Sequence, residues 1–160
     1  MTEREYKTAL FPGSFDPFTA GHEAIVEEGL RVFDKVVIAI GANTEKHGLL
    51  TVENRLRLIE QFYKDDERVE VVTYNSLTGD FCRERGIKFM LRGVRNTLDF
   101  EYERNIMQLN KQLYPEITTV LLFTPAHLSA VSSSAIREIL HFGGDVKALM
   151  PSKIDLKDYL

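Results

Sequence analysis

Thr8-Ala9-Leu10-Phe11-Pro12-Gly13-Ser14-Phe15-Asp16-Pro17-Phe18-Thr19-Ala20-Gly21-His22 reads as a buried strand, a loop punctuated by two prolines and two glycines, and the opening of a helix. The apolar run Thr8 to Phe11 is short and bounded by turn residues, as a strand covered on both faces should be. Helical spacing follows over Gly21 to Phe33. A strand feeding a helix through a Gly/Pro loop is the opening unit of a parallel α/β sheet.

The rest of the chain repeats that unit. Val36 to Ile40, Val69 to Thr73, Phe89 to Leu91 and Thr119 to Phe123 are further brief, β-branched or aromatic runs. Between them, Val52 to Tyr63, Leu77 to Arg85 and Phe100 to Leu113 carry apolar residues at helical spacing, for example Leu56, Ile59 and Phe62, then Ile106, Leu109 and Leu113. Ser133 to Phe142 adds a helix stopped by Gly143-Gly144, and Ile154 to Leu160 a short terminal piece after Pro151. No linker, repeat or low-complexity segment interrupts the pattern. The predicted fold class is α/β: a single Rossmann-like, doubly wound domain spanning 1–160 with a five-stranded parallel sheet covered on both faces.

Composition limits the partners. The 160 residues are 44% hydrophobic and 28% charged, enough to bury a continuous core. Twenty Lys and Arg against 24 Asp and Glu give a formal net charge of -4, which disfavours nucleic acid or an anionic membrane as a partner. A single cysteine, Cys82, cannot form an internal disulfide, and its neighbours carry no signature of a nucleophile, so it reads as a structural cysteine on a helix's buried side. No apolar stretch resembles a signal peptide or membrane span, and a cytoplasmic location is expected.

In open parallel sheets ligands gather outside the carboxyl ends of the strands, so the residues just after each apolar run carry the chemistry. In the first such loop, Gly and Pro fix the backbone and the amides opening the helix form an anion site, with His22 in the first turn facing the same anion. A lone histidine there more commonly caps or packs. Ser132, Ser133 and Ser134 offer hydroxyl and amide donors at the start of the last helix, with Arg137 one turn on. One serine would suffice for an ordinary N-cap, whereas three in a row with Arg137 favour phosphate. Arg92 and Arg95 flank Gly93-Val94 at the end of the fourth run and can converge on one anion or divide two between them.

Pro12-Gly13-Ser14-Phe15-Asp16-Pro17 followed by Thr19-Ala20-Gly21-His22 resembles the signature of the adenylyl- and cytidylyltransferase superfamily, whose second element is written [HT]-x-G-H. Val131-Ser132-Ser133-Ser134-Ala135-Ile136-Arg137 resembles its second signature, with Val131 in place of the commoner isoleucine. Arg92-Gly93-Val94-Arg95 followed by Asp99-Phe100-Glu101-Tyr102-Glu103 is similar to elements of the bacterial phosphopantetheine adenylyltransferases in particular, and motif order and length agree over essentially the whole chain. The loop after the second run departs from that family, which often has a further lysine and a proline after the loop lysine where this chain has His47-Gly48.

The resemblance implies transfer of the adenylyl group of ATP to 4'-phosphopantetheine, giving dephospho-coenzyme A and pyrophosphate by direct in-line attack. It implies catalytic roles for His22, Ser14, Lys46 and Arg95, with His22 stabilising the transition state. ATP is expected to meet Ser14, Phe15, His22, Gly93, Val94, Arg95 and Glu103, together with Leu128, Ser129, Ala130, Val131, Ser132, Ser133 and Ser134. The acceptor is expected to meet Ser14, Lys46, Leu77, Thr78, Arg92, Ile106 and Asn110. Magnesium is expected to arrive with ATP, held by substrate rather than by a protein metal site, since no acidic cluster forms a cage. A homohexamer and feedback binding of coenzyme A are further family expectations. Two alternatives stay open: a relative using another small phosphate such as nicotinamide mononucleotide or glycerol 3-phosphate, and a non-catalytic nucleotide or coenzyme A sensor. The Arg92 to Glu103 region favours pantetheine, and the intact His22, Lys46, Arg92 and Arg95 favour an enzyme.

Overall fold

The computed structural model describes residues 5–42 and 48–160. The first strand, β1 (Thr8–Gly13), lies at the centre of one parallel sheet, between β2 (Lys35–Gly41) and β4 (Phe89–Val94), with β3 (Val69–Tyr74) and β5 (Thr118–Phe123) at the edges. The order is β3-β2-β1-β4-β5, and every pairing is parallel. The chain winds outward from β1 to β3, then returns past β1 to add β4 and β5. The reversal leaves a crevice between the carboxyl ends of β1 and β4, where doubly wound sheets bind ligands.

Side chains alternate between two cores, as strand geometry requires. Ala9, Phe11, Val36, Ile38 and Ile40 join one cluster; Leu10, Val37 and Ala39 join the other. The first and larger core packs under α1 (Ala20–Val32), α2 (Val52–Tyr63), α5 (Ser133–His141) and the C-terminal turn Leu156–Tyr159. The second packs under α3 (Thr78–Glu84), where Cys82 is fully buried as expected, and takes Tyr114 and Ile117 from beyond α4 (Thr97–Leu113). Gly79 lets α3 lie on the Tyr114 ring, which a Cβ at that position would overlap. No helix among the described residues is long and apolar enough to cross a membrane.

Several boundaries differ from the periodicity, three of them for a local reason that the packing supplies. β1 continues through Pro12 and Gly13, because Pro12 and Gly13 keep register with Ala39 and Ile40. β4 runs on to Val94, so Arg92 and Gly93 belong to the strand and pair with Leu121 and Leu122. α4 begins at Thr97 rather than Phe100, because the Asn96 side chain accepts the amide of Asp99 at 2.9 Å and caps the helix there.

Candidate active site

Two cavities open at the crevice, of about 330 and 340 Å³, and share Pro12, Gly13 and Arg92 as a common wall. The first is polar and lies under the start of α1 and α5. The second is mainly apolar and runs between β4, α3 and α4.

His22 forms part of the first cavity's wall, and its orientation follows from the helix cap. Thr19 is the N-cap of α1 and its hydroxyl accepts the His22 amide, while the Thr19 amide donates to His22 Nδ1 at 3.0 Å. This is a capping box with histidine in place of the usual Glu or Gln. Because Nδ1 accepts, the neutral imidazole carries its proton on Nε2. Phe15 meets the ring edge-on at 5.0 Å between centroids, and Phe18 lies at 5.3 Å. Burial, then the positive charges of Arg92 and Arg95, push the His22 pKa down to about 3. At neutral pH the side chain is therefore a neutral imidazole held in place as an Nε2–H donor, and its lowered pKa disfavours a role as proton acceptor.

Three arginines line the same cavity, each held by part of its guanidinium. Arg92 reaches both carboxylate oxygens of Glu103, at 2.6 to 3.1 Å, and donates to the Pro12 carbonyl at 2.5 Å. Arg95 Nε donates to Asp99 Oδ2 at 3.2 Å. Arg137 donates to the Asp16 carbonyl at 2.8 Å and to Ser134 Oγ at 3.1 Å. A chain of net charge -4 thus concentrates three arginines in the lining of one cavity.

The serine run is arranged differently from a row of free hydroxyls. Ser132 caps α5 by accepting the Ala135 amide at 3.1 Å, and the Ser133 hydroxyl donates to the Pro17 carbonyl at 2.8 Å, tying α5 to the β1–α1 loop. What α5 offers an anion is its first-turn amides, which have no partner within the helix.

Of the residues singled out in the sequence, Ser14, Phe15, His22, Gly93, Arg95, Val131, Ser132, Ser133 and Ser134 line the first cavity. Leu77, Thr78, Ile106 and Asn110 line the second, and Arg92 lines both. Glu103 lies in the second cavity, spent on Arg92, rather than in the first with the other residues expected at the nucleotide. Val94 turns its side chain into the core and lines neither cavity. Leu128 ends the short helix Ala126–Leu128, Ser129 and Ala130 follow it, and all three line neither cavity. Lys46 lies outside the described residues. Sequence reasoning missed Thr124 in the first cavity and Tyr74, Tyr102 and Met107 in the second, since strand-end and helix-face residues are assigned to a cavity only by packing.

The description cytidylyltransferase-like fits a family model matching residues 10–139. A phosphopantetheine adenylyltransferase of Cytophaga hutchinsonii is 47% identical over 148 residues, covering 92% of this chain and 99% of that protein. The chain belongs to the phosphopantetheine adenylyltransferases of the cytidylyltransferase-like family. Relatives of the same name from Flavobacterium johnsoniae, 45% identical over 94% of this chain, and Bacteroides fragilis, 42% identical over 94%, each match over 99% of their own length. Among solved structures, a bifunctional NMN adenylyltransferase/ADP ribose pyrophosphatase from Francisella tularensis superposes with a TM-score of 0.71 at 19% identity. That match covers 96% of this chain and 47% of the larger protein, so this family member spans about half its length and shares its nucleotidyltransferase fold. The same Francisella protein is known in complex with AMP and a manganese ion, at a TM-score of 0.68.

No group of three or more His, Cys, Asp or Glu side chains that could hold a metal occurs among the described residues. The first cavity's charged lining is arginine, a donor set for phosphate oxygens and unsuited to a resident cation.

Proposed function

We propose that the chain transfers the adenylyl group of ATP to 4'-phosphopantetheine, forming dephospho-coenzyme A and pyrophosphate in the cytoplasm. The observation that carries this reading is the position of Arg92 in the wall between a polar, arginine-lined cavity and an apolar one. Such a pair suits a triphosphate on one side and a phosphate with a long, weakly polar tail on the other.

In this reading the acceptor phosphate, already ionised near neutral pH, attacks the α-phosphorus, the new P–O bond forms, and the bond to the β-phosphate bridging oxygen breaks as pyrophosphate leaves. No general base is needed, in keeping with the lowered pKa of His22. His22 donates Nε2–H to the α-phosphate as charge builds there. Ser14 and Arg92 orient the acceptor phosphate, with Lys46 as a second cation. Arg95, Arg137 and the amides of Ser133 and Ser134 hold the outer phosphates. Gly93 and Val94 face the nucleotide through their backbone, and Leu128 to Val131 border the adenine. Leu77, Thr78, Ile106 and Asn110 line the pantetheine arm. Magnesium arriving with ATP would be held by the triphosphate rather than by side chains of this chain, and would supply neutralisation of its negative charge.

α4 has one buried residue, Glu103, and exposes Phe100, Tyr102, Ile106, Leu109 and Leu113. A second copy of the chain against this face would give the homohexamer of the family. Coenzyme A, which shares the pantetheine arm, would compete at the second cavity as a feedback inhibitor.

The acceptor is tested by incubating the purified protein with ATP and magnesium plus phosphopantetheine, nicotinamide mononucleotide or glycerol 3-phosphate, and measuring pyrophosphate. Release with phosphopantetheine alone is expected. Release only with another acceptor would reject the substrate assignment, and binding without any turnover would mark a sensor.

A further inference from the structure

Asp16 stands in the loop that carries Ser14 and Phe15, yet it lines neither cavity. Its side chain is almost fully buried and both oxygens are occupied: Oδ2 accepts the Leu49 amide and Oδ1 the Leu50 amide, each at 2.8 Å. Arg55, also buried, places Nε 3.4 Å from Asp16 Oδ1 and donates it to the Leu50 carbonyl at 3.0 Å. A second arm of the same guanidinium donates to the Ser14 carbonyl at 3.3 Å. The Asp16 carbonyl accepts from Arg137.

These ties bracket Phe15, whose φ of 48° lies in the left-handed region. A non-glycine residue keeps that conformation where its surroundings fix the peptide units on both sides. Here Arg55 holds the carbonyl before Phe15, and the anchored Asp16 holds the residue after it. The Phe15 ring in turn stands edge-on to His22. Gly48 closes over the pair: a Cβ there would overlap Asp16 Oδ2 and Arg55 Nη2, so any side chain at that position presses on both.

We infer that Asp16 and Arg55 are a positioning pair for the reaction, holding Phe15 in its left-handed turn and thereby setting Ser14 and the His22 ring against the reacting phosphates. The inference rests on the adenylyltransferase reading for its kinetic test. Neither residue touches substrate.

Asp16→Asn replaces one of two amide acceptors by a donor and removes the charge beside Arg55. Arg55→Lys keeps a cation but cannot serve Leu50 and Ser14 together. Each variant is expected to lower kcat by about 10- to 100-fold, the cost of a misplacement near one ångström, while KM for ATP changes less than about threefold. Gly48→Ala should act in the same direction by pressing on both side chains. The His22 imidazole nitrogen signals should shift in every variant, because the Phe15 ring moves. Should Asp16→Asn fail to fold, Arg55→Lys and Gly48→Ala decide. Folded variants with wild-type kcat and an unmoved His22 spectrum would overturn the inference. If the wild type does not adenylylate phosphopantetheine, the functional reading fails, and the His22 spectrum alone still accepts or rejects the pair.

Discussion

The Thr19 amide donates to His22 Nδ1 at 3.0 Å, and this one bond leaves Nε2 as the imidazole nitrogen that carries the proton. The side chain that caps the helix is also the one that the proposed reaction uses as its donor to the α-phosphate. The histidine that a cautious reading of the sequence assigns to capping does cap, and its other nitrogen remains for chemistry.

His22 should stay neutral through the physiological range, with its pKa near 3 against the ordinary 6.5. Between those values the unfolded chain binds the extra proton and the folded one does not. The stabilising contribution of neutral His22 is therefore complete above about pH 6.5 and falls as pH drops toward 3, by at most about 1.4 kcal/mol per pH unit. Urea unfolding from pH 7.5 to 4.5 should show that slope in the wild type and a shallower one in His22→Asn. Nitrogen NMR should report the Nε2–H tautomer at pH 5.5; an imidazolium there would contradict the assignment.

His22→Ala should lower kcat by roughly 10²- to 10³-fold, the scale of losing one transition-state donor, with a smaller effect on ATP affinity. Equal losses in turnover and in calorimetric ATP binding would make His22 a ground-state ligand instead.

Arg92 and the nearly buried Glu103 should be coupled in stability. Arg92→Ala leaves Glu103 without its partner and is expected to cost about 2–3 kcal/mol, below the range for a fully buried pair because Arg92 keeps some exposure. Adding Glu103→Gln should recover part of the loss. A double-mutant cycle by urea unfolding should give about 1–3 kcal/mol of coupling, and simple additivity would show the pair to be incidental.

Cys82 should be inert in the native state. It is fully buried, and burial pushes its thiol up to about 11, so little thiolate exists at pH 8. Disulfide-exchange reagent should label it only after denaturation; rapid native labelling would mean that α3 opens.

The strands and helices were legible because each apolar run has the length and period of its element, down to the identical limits of Val52–Tyr63. α4 started three residues early because Asn96 is a cap, a local signal the apolar spacing does not contain. Most of the residues that line the first cavity were legible through the two separated signatures. Three features were not. That Glu103 turns onto Arg92 depends on how α4 lies across β4. The Asp16–Arg55 tie joins residues 39 apart with no pattern between them. That the Ser133 hydroxyl serves the Pro17 carbonyl depends on α5 docking against the first loop.

The most direct test of the account is the stereochemical course at the α-phosphorus, followed with ATP made chiral there by sulfur and phosphopantetheine as acceptor. A single in-line displacement, oriented by His22 and the arginines with no protein nucleophile, predicts inversion of configuration in the dephospho-coenzyme A product. Retention would require a covalent adenylyl-enzyme and would contradict it.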